Sequence, residues 1–106
     1  FIGVIMQSMT FQQFQTFPKY GYIFFFSMEG LCGLCKQYEK EIIPYNIPNL
    51  IKVSTENEDD FLSIGLGATP ATRIYDTENK IYFEKYGVLY SKQVSELLEK
   101  FKSLER

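Results

Sequence analysis

One transition constrains this chain more than any other feature. The run Tyr22-Ile23-Phe24-Phe25-Phe26 is apolar throughout, and six residues beyond it Cys32 and Cys35, the only cysteines among 106 residues, head a helical pattern. A strand without polar alternation needs cover on both faces, which puts it inside a sheet rather than at its edge. Residues three apart on a helix share a face, with Cβ atoms roughly 5–6 Å apart. Small local adjustment brings two sulfurs at that spacing into disulfide range. A central strand thus delivers a dithiol that can close and reopen to the start of a helix, and redox chemistry leads the readings of this pair.

The remaining composition narrows the chemistry. There is no histidine, which removes the usual general base of serine and cysteine hydrolases and the commonest metal ligand. A structural zinc site wants four ligands, so two cysteines leave only a site shared between molecules. No cofactor is expected. The 11 basic and 13 acidic side chains are scattered and sum to −2, which argues against nucleic acid as a partner. No apolar stretch reaches the roughly 18 residues that cross a bilayer, so no membrane span is expected. With 45% hydrophobic content the chain can bury a core as one domain over residues 1–106, expected as a monomer in the cytoplasm. The first residue is Phe rather than Met, so a processed and exported form stays open beside that location.

Periodicity lays out the elements. Phe1 to Met6 reads as a buried strand, and Ser8 to Phe17 as a short amphipathic helix in which Thr10 and Gln13 form a capping box and Pro18 is the stop. Tyr22 to Ser27 is the central strand. Leu34, Cys35, Tyr38 and Ile42 form the apolar stripe of the next helix, with Cys32 on its first turn and Pro44 and Pro48 ending it. Leu50 to Ser54 reads as a strand, and Phe61, Leu62 and Ile64 mark a short helix closed by Gly65 and Gly67. Ala71–Tyr75 and Ile81–Tyr86 read as strands of a hairpin joined by Asp76 to Lys80. Ser91 caps a last helix whose apolar face is Val94, Leu97, Leu98, Phe101 and Leu104. Strands and helices that alternate in this way imply β-α-β crossovers and an α/β fold.

This order, with Cys32-Gly33-Leu34-Cys35-Lys36 opening the second helix, resembles the thioredoxin family over essentially the whole chain. The motif is similar to the family's Cys-Gly-Pro-Cys-Lys. Thr69-Pro70, just before the hairpin, matches the place where the family keeps a cis-proline, and Gly87 follows the last strand as it does there. The resemblance implies a mixed sheet of about five strands flanked by about four helices. It also implies a cis Thr69-Pro70 bond beside the cysteines, and a substrate-binding surface made by Thr69, Pro70, Gly33 and Leu34. The sequence departs from the family at Leu31 and Leu34, where close thioredoxins carry Trp and Pro, and at Phe26, where they bury an acid six residues before the first cysteine. Glu29 or water are the candidates to replace that acid.

The chemistry expected of the pair follows from helix electrostatics. A cysteine at a helix N-terminus meets the positive end of the macrodipole and unpaired N–H groups, which favour its thiolate. That makes Cys32 the nucleophile. Cys35, one turn deeper against apolar residues, keeps its proton longer and acts as the resolving thiol. Lys36 either adds positive potential near Cys32 or is simply solvated. Gly65, Gly67 and Ala68 let a peptide backbone approach Thr69, although Gly65 equally suits a helix cap, and Tyr86 and Tyr90 flank Gly87 as rim or packing residues.

The activity expected is a disulfide reductase acting on protein disulfide substrates, with electrons from a donor such as a thioredoxin reductase. Three other readings stand beside it: an exported thiol oxidase or isomerase, a peptide-binding module without turnover, and a static disulfide or pair of buried thiols.

Overall fold

The computed structural model describes residues 6–30 and 32–104. The strand expected over Phe1–Met6 therefore lies almost wholly outside the described residues, as does Leu31. Ten elements follow in order: β1 (Gln7–Thr10), α1 (Phe11–Thr16), β2 (Ile23–Met28), α2 (Gly33–Ile42), a 3-10 turn over Ile43–Tyr45, β3 (Leu50–Thr55), α3 (Glu58–Ser63), β4 (Ala71–Tyr75), β5 (Ile81–Tyr86) and α4 (Ser91–Leu104).

The five strands make one sheet in the order β1-β3-β2-β4-β5, with β2 at its centre. Strands β1, β3 and β2 run parallel, while β4 is antiparallel to β2 and β5 to β4. The apolar run is the cause of that placement, since residues 23–26 are all completely buried. Alternation along β2 divides the core. Ile23 and Phe25 pack with Cys35, Tyr38 and Ile42 of α2 and with Val94, Leu97 and Phe101 of α4. Phe24 and Phe26 pack on the other face with Phe11 and Phe14 of α1 and Phe61 of α3.

Aromatic geometry fills both layers. Phe14 meets Phe24 and Phe26 edge-on, at centroid distances of 5.0 and 5.3 Å. Phe25 stacks on Tyr38 at 3.9 Å. Aromatic pairs of these kinds contribute about 0.5–1.5 kcal/mol each beyond burial.

Local chemistry sets the element ends. Thr10 Oγ1 accepts from the Gln13 N–H at 3.2 Å, and Gln13 Oε1 accepts from the Thr10 N–H at 2.9 Å, closing the expected capping box. The helix begins only after that cap. Residues 7–10, which the periodicity assigned partly to the helix from Ser8, are extended and pair with Ile51 to Ser54, because a cap residue is itself non-helical. Phe17, held extended by the following Pro18, ends α1.

Two further positions correct the sequence expectations. Ser91 is the first helical residue of α4 rather than its cap; the Val94 N–H bonds the Tyr90 carbonyl, and Gln93 Oε1 accepts from the Tyr90 N–H. Leu34 leaves the apolar stripe of α2 and stands 56% exposed.

Candidate functional site

The site forms where β2 ends and α2 begins. Cys32 and Cys35 are joined by a disulfide, their Cα atoms 5.2 Å apart. Cys32 is the N-cap of α2, one position before the first turn in which the periodicity put it. Its Sγ accepts the backbone N–H of Cys35 at 3.2 Å. A sulfur in this position faces the free N–H groups of the helix, which stabilise negative charge. Cys35 is only 2% exposed and belongs to the core cluster of Phe25 and Tyr38, where apolar neighbours penalise a charged sulfur. The two sulfurs therefore occupy unequal environments: one half-buried and held by a donor, the other enclosed.

The chain returns to the cysteines through the loop before β4. The Thr69-Pro70 bond is cis, and Thr69 Oγ1 lies 3.9 Å from Cys32 Sγ. Pro70 is buried, and its carbonyl accepts the N–H of Gly87 at 2.8 Å, so the two positions singled out in the sequence are tied to one another. Gly87 has a φ of +90°, which suits glycine. Gly33 is exposed with open space where a Cβ would project, and Leu34 stands beside it. Gly33 and Leu34 thus follow Cys32 directly on α2, and Thr69, with Pro70 after it, meets the half-buried sulfur from across the fold. Tyr86 and Tyr90 are both exposed, but each is anchored, Tyr86 Oη by the Gly67 N–H and Tyr90 Oη by the Gln37 side chain.

The family's buried acid corresponds by the resemblance to position 26, which is Phe in this chain. Phe26 points to the α1 and α3 face, away from Cys35, and the β2 residue on the dithiol side is Ser27. Counting back from Cys32 misses this by one residue; alternation from Phe25, which does touch Cys35's cluster, finds it. Ser27 lines a cavity of about 250 Å³ together with Cys32, Cys35, Lys36, Glu39 and Lys52. Glu29 also reaches it, though its carboxylate accepts from the Ser54 hydroxyl at 3.2 Å. Lys52 and Glu39 form an ion pair that bridges β3 to α2. Neither residue was singled out by the sequence, because nothing in the spacing of Glu39 and Lys52 shows that β3 carries the lysine beneath α2.

Among the described residues, no three His, Cys, Asp or Glu side chains are grouped so as to hold a metal ion. No helix among them is long and apolar enough to cross a membrane.

No protein-family model matches the sequence, and no curated protein matches it by sequence. Solved structures do match. A thioredoxin from Malassezia sympodialis superimposes with a TM-score of 0.71 at 17% identity, covering 95% of this chain and 96% of that one. Thioredoxin f2 of Chlamydomonas reinhardtii gives 0.70 at 13% identity, covering 89% and 94%. Mitochondrial thioredoxin 3 of Saccharomyces cerevisiae, in its oxidized form, gives 0.58 at 17% identity over 93% and 95%. At such identities the likeness is one of architecture. It agrees with the mixed five-stranded sheet and its flanking helices: the chain has the thioredoxin fold.

Proposed function

We propose that this chain is a thiol-disulfide oxidoreductase that reduces protein disulfides through Cys32 and Cys35. The observation that carries the reading is the inequality of the two sulfurs, with Cys32 Sγ at the helix N-cap accepting an N–H and Cys35 only 2% exposed behind it. In the reduced protein the Cys32 thiolate attacks one sulfur of a target disulfide, forming a mixed disulfide and expelling the other target sulfur as thiolate. Cys35 then loses its proton and attacks Cys32 Sγ. The Cys32–target bond breaks, and the target leaves with both sulfurs reduced. An external dithiol donor, such as a thioredoxin reductase supplies, returns two electrons to the Cys32–Cys35 disulfide.

Thr69, Pro70, Gly33 and Leu34 form the surface on which an extended peptide rests while its disulfide meets Cys32. An insulin-reduction assay with dithiothreitol as donor tests the reading. The chain is expected to accelerate insulin precipitation, and Cys32→Ser to abolish the acceleration. A wild-type chain no faster than dithiothreitol alone would favour a peptide-binding module instead.

A further inference from the structure

On the dithiol reading proposed above, Cys35 has to give up its thiol proton at the moment it displaces the target from Cys32, although it is 2% exposed and no histidine exists to take that proton. The route is limited by what lines the cavity against Cys35. Ser27 and Met28 of β2 offer nothing that titrates near neutrality. Lys36 and Lys52 are cations and cannot accept. The carboxylates are Glu29 and Glu39.

Glu29 sits on the loop after β2, exposed, with its carboxylate engaged by the Ser54 hydroxyl. Glu39 lies four residues beyond Cys35 on α2, so the two side chains stand one turn apart on the same face. It is half-buried, and Lys52 Nζ holds it from the sheet below. We propose that Glu39, fixed by Lys52, accepts the Cys35 proton through water in this cavity. The cavity, about 250 Å³ and lined by polar side chains, has room and partners for such water.

The Lys52 charge serves both ends of the transfer. While Glu39 is ionised, Lys52 balances it. Once Glu39 has taken the proton, the same ammonium faces a newly ionised Cys35 sulfur, so no charge is created in the cavity without a counterpart. Cys35 Sγ then bonds to Cys32 Sγ, the target sulfur departs as thiolate, and the proton on Glu39 passes to that thiolate or to solvent. The acid is supplied by the helix that carries the dithiol, and the sheet beneath contributes the Lys52 ammonium and the Ser27 hydroxyl.

Stopped-flow reaction of the full reduced chain with an aromatic disulfide that releases thionitrobenzoate separates the steps. Attack by Cys32 gives a first release, and resolution by Cys35 gives a second. Glu39→Gln should leave the first phase unchanged and slow the second by roughly tenfold at neutral pH, below the usual general-base effect because cavity water competes. The deficit should close as alkaline pH lets hydroxide take the proton, which loss of packing alone would not produce. Lys52→Met, a second route to the same pair, should also slow only the second phase. Equal second phases for wild type and Glu39→Gln across the pH range would overturn the assignment, as would a slowed second phase in Glu29→Gln alone. A wild-type chain with no first phase would instead overturn the dithiol reading itself.

Discussion

The backbone N–H of Cys35 donates to Cys32 Sγ at 3.2 Å, so in the proposed cycle the resolving residue also holds the sulfur that attacks. A hydrogen bond to a charged group contributes about 1.5–3 kcal/mol. In the reduced chain Cys32 should therefore react with iodoacetamide at neutral pH at least about tenfold faster than Cys35, that factor corresponding to about 1.4 kcal/mol. Mass spectrometry after timed alkylation reads the order directly. Equal rates at the two cysteines would contradict it.

Thr69 brings a side-chain hydroxyl to Cys32, with Oγ1 3.9 Å from Sγ. Thr69→Val keeps the shape and removes the donor. A weak hydrogen bond of about 0.5–1.5 kcal/mol implies a drop of a few fold in Cys32 alkylation rate, with the melting temperature nearly unchanged. An unaltered rate would show that the hydroxyl leaves the sulfur's reactivity untouched.

Tyr38 is fully buried, and its hydroxyl shares a 2.6 Å hydrogen bond with Thr72 Oγ1. Burial pushes this phenol well above the ordinary tyrosine value of 10.0, and the Thr72 bond offsets only part of that. Burial also raises Tyr75, against the opposing effect of Arg73. A group raised in the folded state holds its proton more tightly there, so its contribution is complete below the unfolded value and is lost as pH climbs past it. Stability to urea should hold up to about pH 10 and fall beyond it. Tyr38→Phe should lower stability at neutral pH by about 1–2 kcal/mol, since Thr72 loses its buried partner, and should flatten the alkaline decline. An unchanged alkaline slope would contradict the cause.

These relationships were legible in the sequence to unequal depth. Apolar periodicity found β2, α2, the hairpin and α4, because burial of Ile23 to Phe26 and of Val94, Leu97 and Phe101 is what those patterns encode. The capping box at Thr10 and Gln13 was visible as residue types at a fixed spacing. Pairing was not. That Gln7 to Thr10 form a strand is decided by β3 alongside, and the Glu39–Lys52 pair exists only because β3 lies beside β2 in parallel register, with Lys52 opposite Phe25. That Ser27 rather than Phe26 faces the dithiol has the same origin, since the loop between β2 and Cys32 sets which residue of the strand lies there.

Arg73 is 2% exposed in the middle of β4, where Glu84 of the neighbouring strand, the Ile64 carbonyl at 2.8 Å and Tyr75 Oη at 3.1 Å surround its guanidinium. Burial pulls its pKa down, but Tyr75 and Glu84 outweigh that and leave it raised. Glu84→Ala removes the only carboxylate paired with it among the described residues. Because two neutral acceptors remain, the expected loss is about 1.5–3 kcal/mol in urea unfolding, with Cys32 alkylation unaffected. A neutral result would mean that the two remaining acceptors suffice.

In the proposed cycle Cys32 attacks and Cys35 resolves, and Cys35→Ser isolates the first half of that sequence. The variant is incubated with a disulfide-bonded peptide and digested without reductant, and the adducts are mapped by mass spectrometry. A stable mixed disulfide at Cys32, absent when Cys32 is replaced as well, is the predicted result. An unmodified Cys32 after prolonged exposure to excess peptide would contradict the account.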